Sequence, residues 1–342
     1  NSYAAIVKEK SIERKIISEA SRIIEAVYDQ SSEGKTKLEE AQKTILNLSL
    51  TRESGTLKNA REICKSTFAG IEYRHNNRFS MIGHRTGIAD LDSATSGLIG
   101  GDLIILAGRP GMGKSAVAGN IAATVAATGT PVLLFSLEMH ADSVMTRIMA
   151  RESGINSRNL RRGQLADTQW PMAVNAAGAI SRWPLYIDDK PDITPTEIRA
   201  KARKIKKEKG LGLLIVDYIQ LVRVTGKHDS REQAVAEISR TLKAIARELE
   251  IPVIGLSQLN RNVDGRTDKH PMLSDLRESG AIEQDADIII FIYRDEVYDK
   301  SEDNPKRGLA EFDIAKHRNG ETGRFEVIFD AKTQTIRNLQ RT

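Results

Sequence analysis

The spacing of apolar residues changes character near residue 86. Before that point Ile12, Ile16, Ile17, Ile23, Ile24 and Val27 recur at helical intervals in a proline-free stretch rich in Glu, Lys and Ala. Ser31-Ser32-Glu33-Gly34 interrupts the rhythm, and Leu38, Ala41, Ile45 and Leu48 resume it. Residues 1–50 are therefore predicted to form a helical hairpin, with too little apolar surface to stand alone. Such a hairpin packs on something outside this chain or on another subunit. Residues 51–56 (TRESGT) read as a flexible linker, and Leu57 to Tyr73 as a short amphipathic helix able to dock elsewhere.

From about Thr86, apolar runs of strand length alternate with helical stretches, the pattern of a parallel sheet with right-handed crossovers. The predicted strands are 103–107, 132–136, 185–187, 212–217, 252–256 and 287–293. The predicted helices include 114–127, 140–152, 194–209 and 231–249. The end of the chain differs. Ala310 to Arg318 and Arg324 to Asp330 each alternate with period two around Asn319-Gly320, a hairpin signal. Residues 74–342 are thus expected to be one α/β domain, a mainly parallel sheet finished by a C-terminal β-hairpin.

The first strand runs directly into Gly108-Arg109-Pro110-Gly111-Met112-Gly113-Lys114-Ser115, which fits G-x-x-x-x-G-K-[ST] at every fixed position. Glycines let the backbone N–H groups turn inward and cradle phosphate oxygens, and the following helix adds the positive end of its dipole. Lys114 is expected on the β- and γ-phosphates, and the Ser115 hydroxyl on a magnesium ion. The motif points to a nucleotide together with Mg2+.

Other candidates lie at strand ends. The strand VLLFS, placed beside the phosphate-loop strand, leads to Glu138, which either orients and deprotonates an attacking water or simply favours a helix N-terminus. Asp217 closes the apolar strand LGLLIVD, where an acid holds magnesium. Gln258 closes PVIGLSQ and is placed to sense the γ-phosphate. Arg147 either reaches phosphate or base, or is solvated. Lys316 and Arg318 share one strand face beside the Asn319-Gly320 tip, so they either enter a neighbour's nucleotide site or keep an edge strand soluble. The segment SDLRESG places Arg277 where it could meet a phosphodiester chain, although alone it is a charged loop. Residues 261–270 read as a second mobile loop, and the basic run 199–209 as an exposed helix with solvated lysines. Trp170 and Trp183 are expected to pack.

Composition narrows the picture only modestly. The chain has 342 residues and a net charge of +5, a weak lean towards a polyanionic partner. Its one cysteine, Cys64, rules out an internal disulfide and a Cys-based zinc site, and the six histidines show no metal-ligand spacing. No apolar run approaches the roughly 20 residues that span a bilayer. With no signal-peptide pattern the chain reads as soluble and cytoplasmic, and its start at Asn reads as a fragment or processed form.

In family order, TGIADLDSATSGLIGGDLIILAGRPGMGKS, LFSLEM, LLIVDYIQL, SQLNR, DLRESGAIEQDAD and AKHRNGETG resemble the blocks of DnaB-type replicative DNA helicases of bacteria and their phages, across residues 86–323. The resemblance implies a RecA-like motor that forms a hexameric ring around single-stranded DNA, uses ATP as its nucleotide, moves 5′ to 3′ and unwinds forked duplex. It implies that Gly111, Gly113, Lys114 and Ser115 hold phosphate and magnesium, that Glu138 is the catalytic carboxylate, and that Asp217 is the Walker-B acid. It further implies that Gln258 is the γ-phosphate sensor, Arg147 a cis nucleotide contact, and Lys316 and Arg318 fingers acting in trans. Arg277, Glu278 and Gly280 would lie on the central-channel loop that grips DNA, and the helix near 57–70 would dock on the adjacent subunit. Gly111 stands where the family often has serine, a change that leaves the cradle intact. The hairpin resembles the end of the family's N-terminal domain, whose globular first half is missing, so the collar and the primase and loader contacts belong to a full-length protein. The rival readings are a RecA-type filament recombinase and a nucleotide-bound structural ring without turnover.

Overall fold

The computed structural model describes residues 2–28, 37, 41–42, 44, 59–76, 81–224 and 231–339. They fall into two compact units, Asn1–Ser80 and Met81–Thr342, so the division lies somewhat later than the sequence reading placed it. The first unit contains α1 (Ser2–Tyr28) and α2 (Ala60–Asn76). On α1 the periodic residues Ile16, Ile17, Ile24 and Val27 are exposed. Helix α2 starts later than expected because the Asn59 side chain accepts from the Glu62 N–H at 3.0 Å, an N-cap. Of the second hairpin helix, Lys37, Ala41, Gln42 and Thr44 are helical; the 31–34 breaker, Leu38, Ile45, Leu48 and the 51–56 linker lie outside the described residues.

In the second unit α3 (Ala89–Thr95) precedes β1 (Leu103–Gly108) and α4 (Lys114–Ala127), and β2 (Val132–Ser136) precedes α5 (Ala141–Ser153), α6 (Ser157–Arg162) and α7 (Trp170–Ile180). Then come β3 (Leu185–Asp188), α8 (Pro195–Lys209), β4 (Leu213–Asp217), α9 (Arg231–Leu249), β5 (Val253–Gln258), α10 (Gly280–Asp285) and β6 (Ile288–Tyr293). The chain closes with β7 (Leu309–His317), β8 (Gly323–Asp330) and β9 (Thr335–Asn338). The nine strands form one sheet in the order β3-β2-β4-β5-β1-β6-β7-β8-β9. The first six in that order run parallel and the last three antiparallel.

This order corrects one expectation. Strand β2 does not lie beside β1, because the crossover through α4 skips two positions that β4 and β5 later fill. The five inner parallel strands are buried on both faces, as a doubly covered sheet requires, while the edge strand β3 is half-buried. Ile104 and Leu106 of β1 join the core under α4 and α5, while Leu103, Ile105 and Ala107 join the one under α8 and α9.

Other differences have local causes. Helix α7 begins at Trp170-Pro171, where proline at the start suits a helix, and the Trp170 side chain is 53% exposed instead of packed. Segment 261–270 is tied down at several points. It contains a short 3-10 turn at Arg261–Gly265, Arg266 pairs with Asp275 at 2.8 Å, and His270 Nε2 lies 3.1 Å from Glu311. On α8, Arg199 and Arg203 pair with Glu248 and Lys201 with Asp188, so these side chains serve the chain's own packing.

The α/β unit is entered through a buried carboxylate. Asp92 accepts from the Thr86 N–H and hydroxyl, both at 2.7 Å, and from the Gly87 N–H at 3.2 Å. Asp92→Ala leaves these donors without partners and is expected to cost about 1–3 kcal/mol, read as a lower urea midpoint with an unchanged slope. An unchanged midpoint would show that the box contributes nothing.

Candidate active site

At the carboxyl end of β1 the chain has no room for larger residues. A Cβ at Gly108 would lie 2.9 Å from the Ile292 carbonyl oxygen, and one at Gly113 would lie 2.8 Å from the Phe329 ring. Gly111 and Gly113 also hold φ of +84° and +93°, which side-chain-bearing residues rarely adopt. The loop ends at Lys114, the first residue of α4. Its ammonium donates to the Gly108 carbonyl at 2.8 Å and the Arg109 carbonyl at 3.2 Å. Burial pulls the Lys114 pKa down to about 8, against the opposing pull of Asp217 and Glu138.

Three strand ends converge on this loop. Asp217 closes β4 and is buried; its side chain is hydrogen-bonded to the Ser115 side chain. Burial chiefly pushes its pKa up, and the Ser115 bond, Lys114 and Arg147 oppose this. Gln258 closes β5 directly opposite Gly108. Glu138 lies two residues past β2, whose Ser136 is paired with Asp217, so it approaches from beyond β4 and is exposed. Arg147 enters from α5. Burial lowers its pKa while Asp217 and Glu138 raise it, so the helix presents it to the acids instead of to solvent. Together Lys114, Ser115, Glu138, Arg147, Asp217 and Gln258 line a cleft of about 300 Å³.

Two of the expected loop contacts need correction. The Arg109 side chain turns away from the cleft, pairing with Asp264 and donating to the Leu259 carbonyl at 2.8 Å. Met112 is buried beneath the loop, where its sulfur accepts from the Arg294 N–H at 3.3 Å. Only the backbones of these two residues remain available to phosphate, while Pro110 lines the cleft.

Arg294, Phe329 and Gln334 also line the cleft and were missed. The Arg294 guanidinium stacks 3.8 Å above Phe329, donates to the Gly111 carbonyl at 3.2 Å and pairs with Glu296. Its buried Nε has no partner among the described residues. Arg294 follows the apolar strand IIIFIY, so the strand-end rule that found Asp217 and Gln258 would have found it too. Phe329 and Gln334 come from the antiparallel extension, where that rule does not apply.

Lys316 and Arg318 sit far from this cleft. Their strand β7 runs antiparallel to β6 and pairs His317 with Ile288, at the amino end of β6. The P-loop lies at the other end of β1, and the two ends of that strand are about 17 Å apart at about 3.3 Å per residue. The pair does not protrude either: both side chains fold back on the segment before β6. The backbone of Arg277 and Glu278 lies in a 3-10 helix, Leu273–Ser279, where the sequence suggested a loop, and Gly280 begins α10. The side chains of 277–279 lie outside the described residues.

The donor set fits a magnesium nucleotide. Turned glycines, a lysine and a serine–aspartate pair suit phosphates with a cation that takes few protein ligands. No cluster of three or more His, Cys, Asp or Glu residues suited to a metal occurs among the described residues, nor does a helix long and apolar enough to cross a membrane.

The fold and cleft define a RecA-like P-loop ATPase. Residues 83–338 match the model of the DnaB-like helicase C-terminal domain. The chain is 46% identical over 341 residues to the replicative DNA helicase DnaB of Geobacillus stearothermophilus, covering 99% of the chain and 75% of that protein. It is 45% identical to the replicative DNA helicase DnaC of Bacillus subtilis, with the same coverage. A solved DnaB-like replicative helicase, described with its interactions with primase, superposes with a TM-score of 0.82 at 34% identity, over 99% of this chain and 79% of that one. The chain belongs to the DnaB-like replicative DNA helicases, enzymes that hydrolyse ATP.

Because the Lys114 pKa is about 8 in the free site, polyphosphate binding restores its charge and draws in a proton. Nucleotide affinity should therefore weaken as pH rises through about 8, by up to about tenfold per unit. Calorimetry near pH 9 in buffers of different ionisation enthalpy should detect the uptake. Lys114→Arg, which stays charged, should remove it. Binding without proton uptake would reject this coupling.

Proposed function

We propose that the chain is the motor of a hexameric replicative helicase that hydrolyses magnesium-ATP between subunits while moving 5′ to 3′ on single-stranded DNA. The observation that carries this reading is the separation of two cation sets. Lys114 and Arg147 stand at the nucleotide cleft, whereas Lys316 and Arg318 stand at the opposite end of the sheet, beyond reach of their own phosphates. In a head-to-tail ring the second set meets the neighbour's cleft.

In the reaction Glu138 orients and deprotonates the attacking water, Lys114 and Gln258 hold the γ-phosphate, and Arg147 contacts the nucleotide in cis. Lys316 and Arg318 of the adjoining subunit neutralise charge on the transferred group. Ser115 and Asp217 would hold magnesium, which would supply charge neutralisation to the phosphates. Arg277, Glu278 and Gly280 grip the DNA backbone in the central channel, which makes binding salt-dependent and almost independent of sequence.

The helices of residues 1–50 complete the end of an N-terminal domain, 51–73 link and dock to the next subunit, and 74–342 form the motor. Forked duplex is the substrate, and the assembly works in the cytoplasm of a bacterium or a phage-infected cell. The full-length protein meets a loader and primase, a reading supported by the similar helicase that was solved with attention to primase.

Lys316→Ala and Arg318→Ala should each lower DNA-stimulated phosphate release by about 10³-fold or more, with nucleotide binding largely kept. Full stimulated turnover in either variant would remove that residue from the reaction. Arg277→Ala should weaken single-strand binding and reduce its salt slope by about one unit, with basal hydrolysis kept. An unchanged slope would take Arg277 out of the channel.

A further inference from the structure

The two cations at the amino end of the sheet rest on a common support. Asp287, between α10 and β6, is only 3% exposed. Its Oδ2 accepts from the Leu103 N–H at 2.8 Å and from Lys243 Nζ at 2.5 Å. Lys243 is itself fixed, donating to the Gly101 carbonyl at 2.8 Å. With Oδ2 held by two donors from β1 and α9, the other oxygen has a set direction. It faces Arg318, whose Nη1 lies 3.3 Å from Oδ1. The Arg318 N–H donates to the Asp287 carbonyl at 2.8 Å, and its Nη2 lies 3.4 Å from the Gln284 carbonyl. Lys316 Nζ donates to the Glu283 and Ala286 carbonyls at 2.5 and 2.7 Å.

We propose that Asp287 is a positioning residue for the trans-acting pair: it fixes the Arg318 guanidinium on the rim of the subunit, aimed at the neighbour's nucleotide. The proposal rests on the trans reading above. An arginine on a turn after a strand has several rotamers of similar energy. A neighbour's phosphate must then order it at the moment of reaction, and that cost is removed if it is ordered beforehand. Asp287 does this through a bond to the backbone and a bond to the side chain of the same residue. The Arg318 side chain stays 49% exposed, so the support leaves donors free for a ligand from outside the chain. The carbonyls at the end of α10 do the same for Lys316, whose pKa burial and Arg318 lower. One segment, residues 283–287, thus sets both cations and their spacing.

The test uses rings mixed from two subunit types. Asp287→Asn keeps the size of the side chain but loses the charge that holds Arg318. It should lower DNA-stimulated kcat by about tenfold to a hundredfold, with KM for ATP nearly unchanged, because its own cleft is intact. Glu138→Ala subunits have a dead cleft but a sound finger pair. Mixing the two at equal amounts should restore turnover at about a quarter of the interfaces, where a sound cleft meets a sound pair. Lys243→Gln removes one of the two donors that set Asp287 but leaves the Leu103 N–H on Oδ2, so it should lower the stimulated rate by less than Asp287→Asn does. Arg318→Ala mixed with Glu138→Ala serves as the reference. If that reference is restored and Asp287→Asn is not, Asp287 holds the subunit together and positions nothing. If the reference itself is not restored, the trans reading falls, and the positioning role falls with it.

Discussion

A parallel sheet has two unlike ends, and the placement of chemistry in this molecule follows from that. Six parallel strands bring all their carboxyl ends to one edge. Asp217, Gln258 and Arg294 close or follow three of them around the glycine loop, and Glu138 arrives two residues past a fourth. Nothing on a parallel strand can place its last residues at the opposite edge. The antiparallel β7 does so, because reversing the chain direction beside β6 lands Lys316 and Arg318 at the amino ends. The antiparallel extension thus makes the subunit two-ended, with a cleft at one edge and a cation pair at the other. In the proposed ring, a subunit of that kind uses its two ends together only with a second copy.

The cleft is also electrostatically poised. Asp217 is buried and Lys114 half-buried, and desolvation disfavours the charged form of each. In the free protein Lys114 rests on two carbonyls of its own loop, and Asp217 on Ser115. These are substitutes of the right kind: carbonyl oxygens stand where phosphate oxygens fit, and a hydroxyl proton where a cation fits. In the proposed reading, nucleotide and magnesium would replace them and exchange weak partners for charged ones.

Most of the sheet was readable because buried parallel strands are nearly continuous apolar runs, and the residues that end them are conspicuous. Asp217 and Gln258 stand out for that reason. Strand order was not readable, since an apolar run carries no information about its neighbour, and β2 was placed beside β1 when two strands separate them. Side-chain direction was equally hidden. Arg109 belongs to the phosphate loop by spacing, but the carbonyl of Leu259 and the carboxylate of Asp264 draw it to the other side. The apparent mobility of 261–270 came from its polarity, and that polarity is used in ion pairs with Asp275 and Arg109 and in the contact of His270 with Glu311. Phe329 reads as one position of an alternating hairpin, and only the glycine it presses against reveals it as a wall of the cleft.

The short stretch from Leu273 to Asp287 joins features that the sequence presents as separate motifs. It holds the 3-10 helix of Arg277 and Glu278, passes through α10 from Gly280, and ends in the carbonyls and carboxylate that carry Lys316 and Arg318. Ile282 of α10 is fully buried and Asp285 bonds to Ser239 of α9, so the helix is held as a solid piece rather than a loose loop. In the proposed reading, a strand of DNA pulling on one end of this piece acts on a body whose other end positions the cations for the next subunit's ATP. Hydrolysis at one interface then answers to DNA held by the subunit that supplies the pair, and not to DNA held by the subunit that binds the nucleotide. The physical basis is the shortness of the connection: a single six-residue helix begins at Gly280 and already carries Glu283, too short a piece to absorb a displacement by bending.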